Sequence, residues 1–295
     1  MRTLLYSFYV ILGGISFGLL APFVKLAYEH GIPTSDSVRL QFFVGFIIIL
    51  LINLLFVRYR MGARTFIILM FSGIPMALTT SFYYNSLQYL DASISIVLLF
   101  QYTWMGIIAE LVIERVKPTW EKVSAAIILF VGSLLAVNIF GADMSSLPVI
   151  GFIWGLLSAV SFTAFLYVSG RVANHVPAAR KSAVMAFGAV IVIAIAFPVT
   201  DFAQGGISWS FVGLGVLLGL FGVVLPPLLF SLGIPVIGSG MGTILSSTEL
   251  PTTMILSAIV VSEEVTALQW IGMAVVLFGI ILANYPALKQ SYKSQ

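Results

Sequence analysis

Ten long apolar stretches, separated by short polar clusters, run along the chain. They cover about residues 4–26, 37–57, 65–89, 92–113, 120–140, 148–171, 180–199, 209–232, 237–260 and 267–285. A membrane-spanning helix needs ~20 mostly apolar residues, and each stretch supplies about that many. They are too long and too uniformly apolar for strands, and they lack the alternation of a membrane barrel. The thinnest partition is Leu90-Asp91-Ala92, between the third and fourth stretches. Pro118 and Pro148 open the fifth and sixth, where a first helical turn accepts proline. Thr266-Ala-Leu-Gln269 reads as a capping box for the tenth. The first stretch has one early Arg2 and no A-x-A site, so it reads as a retained helix and not a cleaved signal. The pattern predicts an all-α integral membrane protein of ten transmembrane helices in a single domain, 1–295.

Composition agrees. Of 295 residues, 60% are apolar and 8% charged, about a third of the usual charged share. That excludes a soluble enzyme and a nucleic-acid binder. Cysteine is absent, which removes disulfides and thiolate chemistry. The two histidines, His30 and His175, sit in polar linkers. Zinc and proton-shuttle chemistry lack their usual groups, and no metal or cofactor is expected.

Charge sets the orientation. With ten spans and an inner N-terminus, the inner segments carry Arg2, Arg58, Arg60, Arg64, Arg115, Lys117, Lys122, Arg171, Arg180, Lys181, Lys289 and Lys293. Of the 14 Lys and Arg, only Lys25 and Arg39 remain outside, where they read as snorkelling side chains. This bias predicts cytoplasmic termini in a multi-pass plasma-membrane protein. Glu29, Asp36, Asp91, Asp143, Asp201, Glu263 and Glu264 fall on the outer side, where acids are tolerated. Glu110 lies toward the inner end of the fourth helix, within reach of cytoplasmic cations.

The two halves echo each other. Ala92-Ser-Ile-Ser-Ile, Glu114-Arg-Val-Lys-Pro and Phe130-Val-Gly-Ser-Leu-Leu-Ala have counterparts in Gly240-Met-Gly-Thr-Ile, Glu263-Glu-Val-Thr-Ala and Phe278-Gly-Ile-Ile-Leu-Ala. Ile15-Ser-Phe17 echoes Val160-Ser-Phe162. The expected repeats are 4–141 and 147–286. Five helices is an odd number, so the second copy enters the membrane inverted. Inverted repeats mark secondary transporters with a midplane site.

Glu263-Glu-Val-Thr-Ala-Leu-Gln-Trp-Ile-Gly272 with Gly279, and Glu249-Leu-Pro251 before it, resemble the helix 9–10 pattern of the EamA-type branch of the drug/metabolite transporter superfamily. The first half departs from it in a longer loop after Glu114 and in Thr103, which stands where the family has a proline. The resemblance implies a two-repeat carrier of small metabolites, often amino acids and often exported, with helices 1, 3, 4, 6, 8 and 9 around the site. Fold does not fix the substrate.

Glu249 is the sharpest single feature. It sits about twelve residues into its span, where a charge costs at least ~2.5–3.5 kcal/mol unless it meets a partner or cavity. In a continuous helix, Gly242, Ser246, Thr253 and Ser257 share its face. Two roles are open for Glu249: binding a substrate amine or exchanging a proton, and holding a neighbouring helix by a hydrogen bond. Gln101 aligns with Glu249 across the repeat, and Trp104 lies one turn on. A midplane Trp either stacks on substrate or fills the bundle. Tyr83, Tyr84 and Asn85 pose the same choice; Tyr84 is taken as the inward residue. Ser16 is a cavity or packing hydroxyl. Its Gly14-x-Ser16-x-Gly18 context is no hydrolase elbow, because no intramembrane histidine exists to act as base.

The candidate substrate-binding set is Ser16, Tyr84, Gln101, Trp104, Ser246, Glu249 and Thr253, with Glu249 the proton-coupling candidate. Pro22, Pro75, Pro226-Pro227 and Pro251 mark breaks that free backbone carbonyls. The paired glycines read as packing within one chain, so a monomer or weak homodimer is expected. The expected partners are membrane lipid and a small-molecule substrate, with no nucleic acid. No ATP-binding motif exists, so a gradient or exchange must drive transport. No Lys or Arg lies at a midplane, which disfavours phosphorylated sugars and favours neutral, zwitterionic or cationic solutes. A passive channel and a membrane-embedded enzyme are the rival readings; the second needs a nucleophile–base pair or metal cluster that the sequence lacks.

Overall fold

The computed structural model describes residues 2–29, 32–90, 92–136, 148–197, 209–260, 262 and 264–293. Every regular element among them is helical. In chain order these are α1 Arg2–Gly18, α2 Leu20–Glu29, α3 Thr34–Phe56, α4 Ala63–Ser72, α5 Ile74–Leu87, α6 Ala92–Phe100, α7 Tyr102–Glu114 and α8 Trp120–Ala136. They continue as α9 Val149–Arg171, α10 Ala178–Ala196, α11 Trp209–Gly219, a π-helical turn Leu220–Val224, α12 Leu225–Ile237, α13 Ser239–Ser246, α14 Glu249–Val260 and α15 Ala267–Lys293. Nine stretches among the described residues are long and apolar enough to cross a membrane. The expected fifth span is described over only 17 residues, Trp120–Ala136. The expected outer loops at 142–146 and 201–206, with His30, Asp91 and Glu263, lie outside the described residues.

The surface confirms what the helices face. Leu55, Phe56, Ile195 and Ile259 are each more than 70% exposed. Apolar patches on that scale are unsustainable in water and ordinary against lipid.

Five spans are interrupted, four of them beside the prolines that marked breaks in the sequence. The first breaks at Leu19, between α1 and α2, because Pro22 has no N–H for the carbonyl of Gly18. The third breaks at Gly73, just before Pro75. The eighth widens into the π turn Leu220–Val224, followed by Pro226-Pro227, a common site of kinks. The ninth breaks at Ser247-Thr248 and resumes at Glu249, with Pro251 in the new first turn. The fourth breaks at Gln101 without a proline. Residues 4–26, 65–89, 92–113 and 237–260 each still form one candidate span, and of these four only the break in 92–113 had no proline to mark it. The tenth helix starts as the sequence proposed: Gln269 N–H donates to Thr266 Oγ1 at 3.3 Å, and Thr266 N–H to Gln269 Oε1 at 2.9 Å.

Close backbone approach organises the bundle. α3 and α10 run antiparallel: Arg39, early in α3, donates to the Phe197 carbonyl past the end of α10, and Asn53 donates to the Ala179 carbonyl at its start. α8 and α15 are also antiparallel. A Cβ on Gly132 would meet Val276, and one on Gly272 would meet the backbone of Ala136. Gly45 lies against Gly219, while Gly188 lies against the Met70 carbonyl and Gly73 against that of Met185. Small residues at such crossings admit dispersion contacts that lipid cannot replace.

An aromatic cluster fills the centre. Tyr102 meets Phe162 edge-on at 4.6 Å between ring centroids, and Phe17, Phe165 and Phe230 continue the cluster at 5.7–6.1 Å. It ties α1, α7, α9 and α12 together beside the breaks.

Two cations depart from their expected places. Arg39 does not snorkel: it is buried, pairs with Asp36 at 2.6 Å and donates to Phe197. Lys181 is 1% exposed and donates to the Ser169 carbonyl at 2.7 Å and Asn174 Oδ1 at 3.1 Å. The last carbonyls of α9 attract a cation, which explains a buried Lys with no acidic partner among the described residues.

Candidate functional site at two mid-span helix breaks

The break at Gln101 and the break at Ser247-Thr248 pack against each other through small residues. A Cβ on Gly106 of α7 would meet the side chain of Thr243 in α13. One on Gly14 would meet the Ser246 carbonyl, and one on Gly18 the Glu249 carbonyl. Hydroxyls then stitch the breaks together. Thr243 Oγ1 donates to the Thr103 carbonyl at 3.2 Å, and Thr163 Oγ1 to the Tyr102 carbonyl at 3.5 Å. The Tyr102 hydroxyl donates to Ser247 Oγ and accepts from Ser246 Oγ, each at 3.5 Å. Tyr102, Thr243, Ser246 and Ser247 are buried, so these groups must find partners inside.

Glu249 is the first residue of α14, a position that favours an acidic side chain. It is half-buried, and its carboxyl lies within electrostatic range of the Tyr102 hydroxyl. It has no hydrogen bond or ion pair among the described residues. A half-buried acid at mid-span with no hydrogen bond or ion pair among the described residues contrasts with Glu110 and Glu114, which do have partners. Glu110 pairs with Lys122 at 2.6 Å, and its oxygens face Gly238 and Gly240 at the start of α13. Glu114 pairs with Arg171 and accepts from Ser239 Oγ at 3.0 Å.

The structure divides the predicted set. Ser246 lies against the Tyr102 hydroxyl, and Glu249 opens the next helix within electrostatic range of it. Ser16 Oγ donates to the Phe221 carbonyl at 2.8 Å, and Thr253 Oγ1 to the Gly18 carbonyl at 3.1 Å. Both acceptors are carbonyls that a proline leaves short of a donor. Pro22 cannot serve Gly18, and in the i→i−5 register of the π turn Pro226 cannot serve Phe221. Tyr84 is half-buried beside Tyr83, with ring centroids 6.0 Å apart.

Gln101 and Trp104 do share a face: the indole N–H donates to Gln101 Oε1 at 2.8 Å. That face lines an apolar groove between α7 and α8 of about 440 Å³, and Trp104 is 39% exposed. No hydrogen bond joins this pair to Ser246 or Glu249 among the described residues. Tyr102, Thr243 and Ser247 were missed by sequence reasoning. The run Ser246-Ser247-Thr248 directly before Glu249-Leu-Pro251, a hydroxyl cluster beside a proline at mid-span, was the available signal for Ser247.

Among the described residues no group of three or more His, Cys, Asp or Glu could hold a metal ion. The arrangement offers one carboxyl, one phenol and several hydroxyls, groups suited to holding a solute by hydrogen bonds and charge.

Comparison with known proteins leads to the same class. An uncharacterized transporter from Synechocystis, sll1319, is 23% identical over 224 residues, covering 74% of this chain and 67% of that protein. A solved crystal structure superposes with a TM-score of 0.77 over 93% of this chain and 98% of its own, at 16% identity, a likeness of fold alone. The relative's name points to a transporter, and the superposition shows a shared fold. The model of the EamA-like transporter family matches residues 4–138 and again 149–285, so the chain belongs to that family.

Proposed function

We propose that the protein is a secondary active transporter that moves a small neutral, zwitterionic or cationic metabolite across the cytoplasmic membrane by alternating access. An amino acid or related compound, exported from the cell, fits best. The observation that carries this reading is the pair of opposed mid-span breaks at Gln101 and Ser247-Thr248, with the half-buried Glu249 carboxyl within electrostatic range of the Tyr102 hydroxyl. Discontinuous helices at mid-depth supply polar groups that a continuous helix would consume internally. A lone acid with no midplane Lys or Arg favours an amine over an anion. Tyr102, Ser246 and Glu249 are the solute-facing groups in this proposal, with Tyr84 on the adjoining wall. Ser16 and Thr253 hold the wall by serving proline-freed carbonyls.

The proposed architecture is ten helices in two inverted five-helix repeats, 4–141 and 147–286, with both termini cytoplasmic. The double family match supports two repeats. The antiparallel pairing of α3 with α10 and of α8 with α15 supports inversion, since these are the second and fifth helices of each half. A second role for Glu249 follows from its mid-span position: a proton and a cationic solute can exchange for the same carboxylate.

Screening amines, amino acids and nucleosides for thermal stabilisation of the purified protein identifies the solute class. Counterflow of a stabilising solute in proteoliposomes then tests the carrier. Saturable counterflow, lost in Glu249→Ala, is expected. Non-saturable flux would make the protein a channel, and normal counterflow by the variant would place the site elsewhere.

A further inference from the structure

The groove between α7 and α8 is distinct from the Tyr102–Glu249 cluster. We propose that it holds an acyl chain of an anionic phospholipid from the inner leaflet, with the lipid phosphate at Arg115 and Lys117. Trp104, Ile108 and Leu111 of α7, Ile127 and Phe130 of α8 and Pro118 of the connecting loop line it. Those five helix residues are 39–57% exposed, so the groove opens on the lipid-facing surface.

Most of its polar atoms already have partners. Gln101 Nε2 donates to the Val97 carbonyl at 2.7 Å, and the Trp104 indole is bound to the same side chain's oxygen. The deep end keeps one further amide hydrogen of Gln101 in an otherwise apolar lining and suits hydrocarbon. From Gln101 to Leu111 the helix rises roughly 15 Å, half of a ~30 Å hydrocarbon core. A single leaflet's chain has that reach. At the loop end, Arg115 and Lys117 are exposed beside Pro118 and have no ion pair among the described residues. Of the nearby acids, Glu110 and Glu114 are taken by Lys122 and Arg171, and Glu121 lies in the first turn of α8. Two uncommitted cations at the mouth of an apolar groove complement a phosphate followed by an acyl chain. Only the word "inner" rests on the topology proposed above.

Trp104 reports on the groove directly. The full chain is reconstituted in vesicles in which phosphatidylglycerol or phosphatidylcholine with mid-chain bromines is diluted into unbrominated phosphatidylcholine. The difference between wild type and Trp104→Phe gives the Trp104 fluorescence. Brominated phosphatidylglycerol should quench it at lower mole fraction than brominated phosphatidylcholine, by roughly fivefold for each cation engaged. In Arg115→Gln/Lys117→Gln the two curves should coincide, while Arg58→Gln/Arg60→Gln should keep the preference. Equal quenching by both lipids in wild type, or a preference that survives Arg115→Gln/Lys117→Gln, overturns the proposal. Quenching by neither lipid, with crosslinked dimers, assigns the groove to a second copy and also overturns it. Both leaflets carry the probe, so a wrong topology leaves the readout unchanged.

Discussion

Thr253→Val isolates one polar contact in the bundle. Threonine and valine have nearly the same shape, so the change removes a hydroxyl without opening a cavity. That hydroxyl donates to the Gly18 carbonyl at 3.1 Å, and Pro22 provides no N–H to replace it. An average interhelical hydrogen bond in a membrane is worth about 0.6 kcal/mol, because the broken partner finds another. Here the partner has lost its intrahelical donor, so the cost should approach that of an unsatisfied buried acceptor, about 1–3 kcal/mol. Pro22→Ala restores an N–H four residues after Gly18. The double variant Pro22→Ala/Thr253→Val should therefore recover most of the loss, with a coupling energy of about 1–2 kcal/mol between the positions. Reversible denaturant unfolding of the purified protein in detergent measures all four corners of the cycle. Additive effects would refute the argument, since they would mean that the Gly18 carbonyl does not depend on Thr253.

Glu249→Gln keeps shape and hydrogen-bonding capacity while removing the titratable charge. It should remain folded and lose the pH dependence of solute counterflow in proteoliposomes, and an unchanged profile would remove Glu249 from coupling. Lys122→Ala should destabilise the protein by about 3 kcal/mol, because Glu110 is left as a buried charge without its cation. Adding Glu110→Gln should restore most of that stability in the same unfolding measurement. Single cysteines at Gly62 and His175 should label only from the cytoplasmic side, and those at Gln88 and Thr266 only from outside. Labelling of the two pairs from one side would sink the inverted arrangement.

Local chemistry was legible in the chain itself. Runs of apolar residues announced the spans, because a helix in lipid must satisfy its own backbone and present apolar side chains all round. The Thr266–Gln269 box fixed the start of α15 because both partners lie within one turn. Pro22 and Pro226 showed where carbonyls would go short, since the missing N–H is a property of the residue. The partners that meet those carbonyls are distant in sequence: Thr253 is 235 residues from Gly18, and Ser16 is 205 from Phe221.

Tertiary packing decided the rest. A uniformly apolar span has little amphipathic pattern, so periodicity could not tell that Trp104 turns toward α8 and lipid. Nor could it show that Tyr102, two residues earlier, turns toward Ser246 and Ser247. The break at Gln101 carries no proline; it sits where α7 packs on α13 through Gly106 and Thr243. Lys181 looked like one more cytoplasmic cation, and it is buried because the end of α9 presents a carbonyl to it. Each of these depends on which helix lies alongside, a relation between residues a hundred or more positions apart or on separate helices, while the sequence alone specified each helix and its points of weakness.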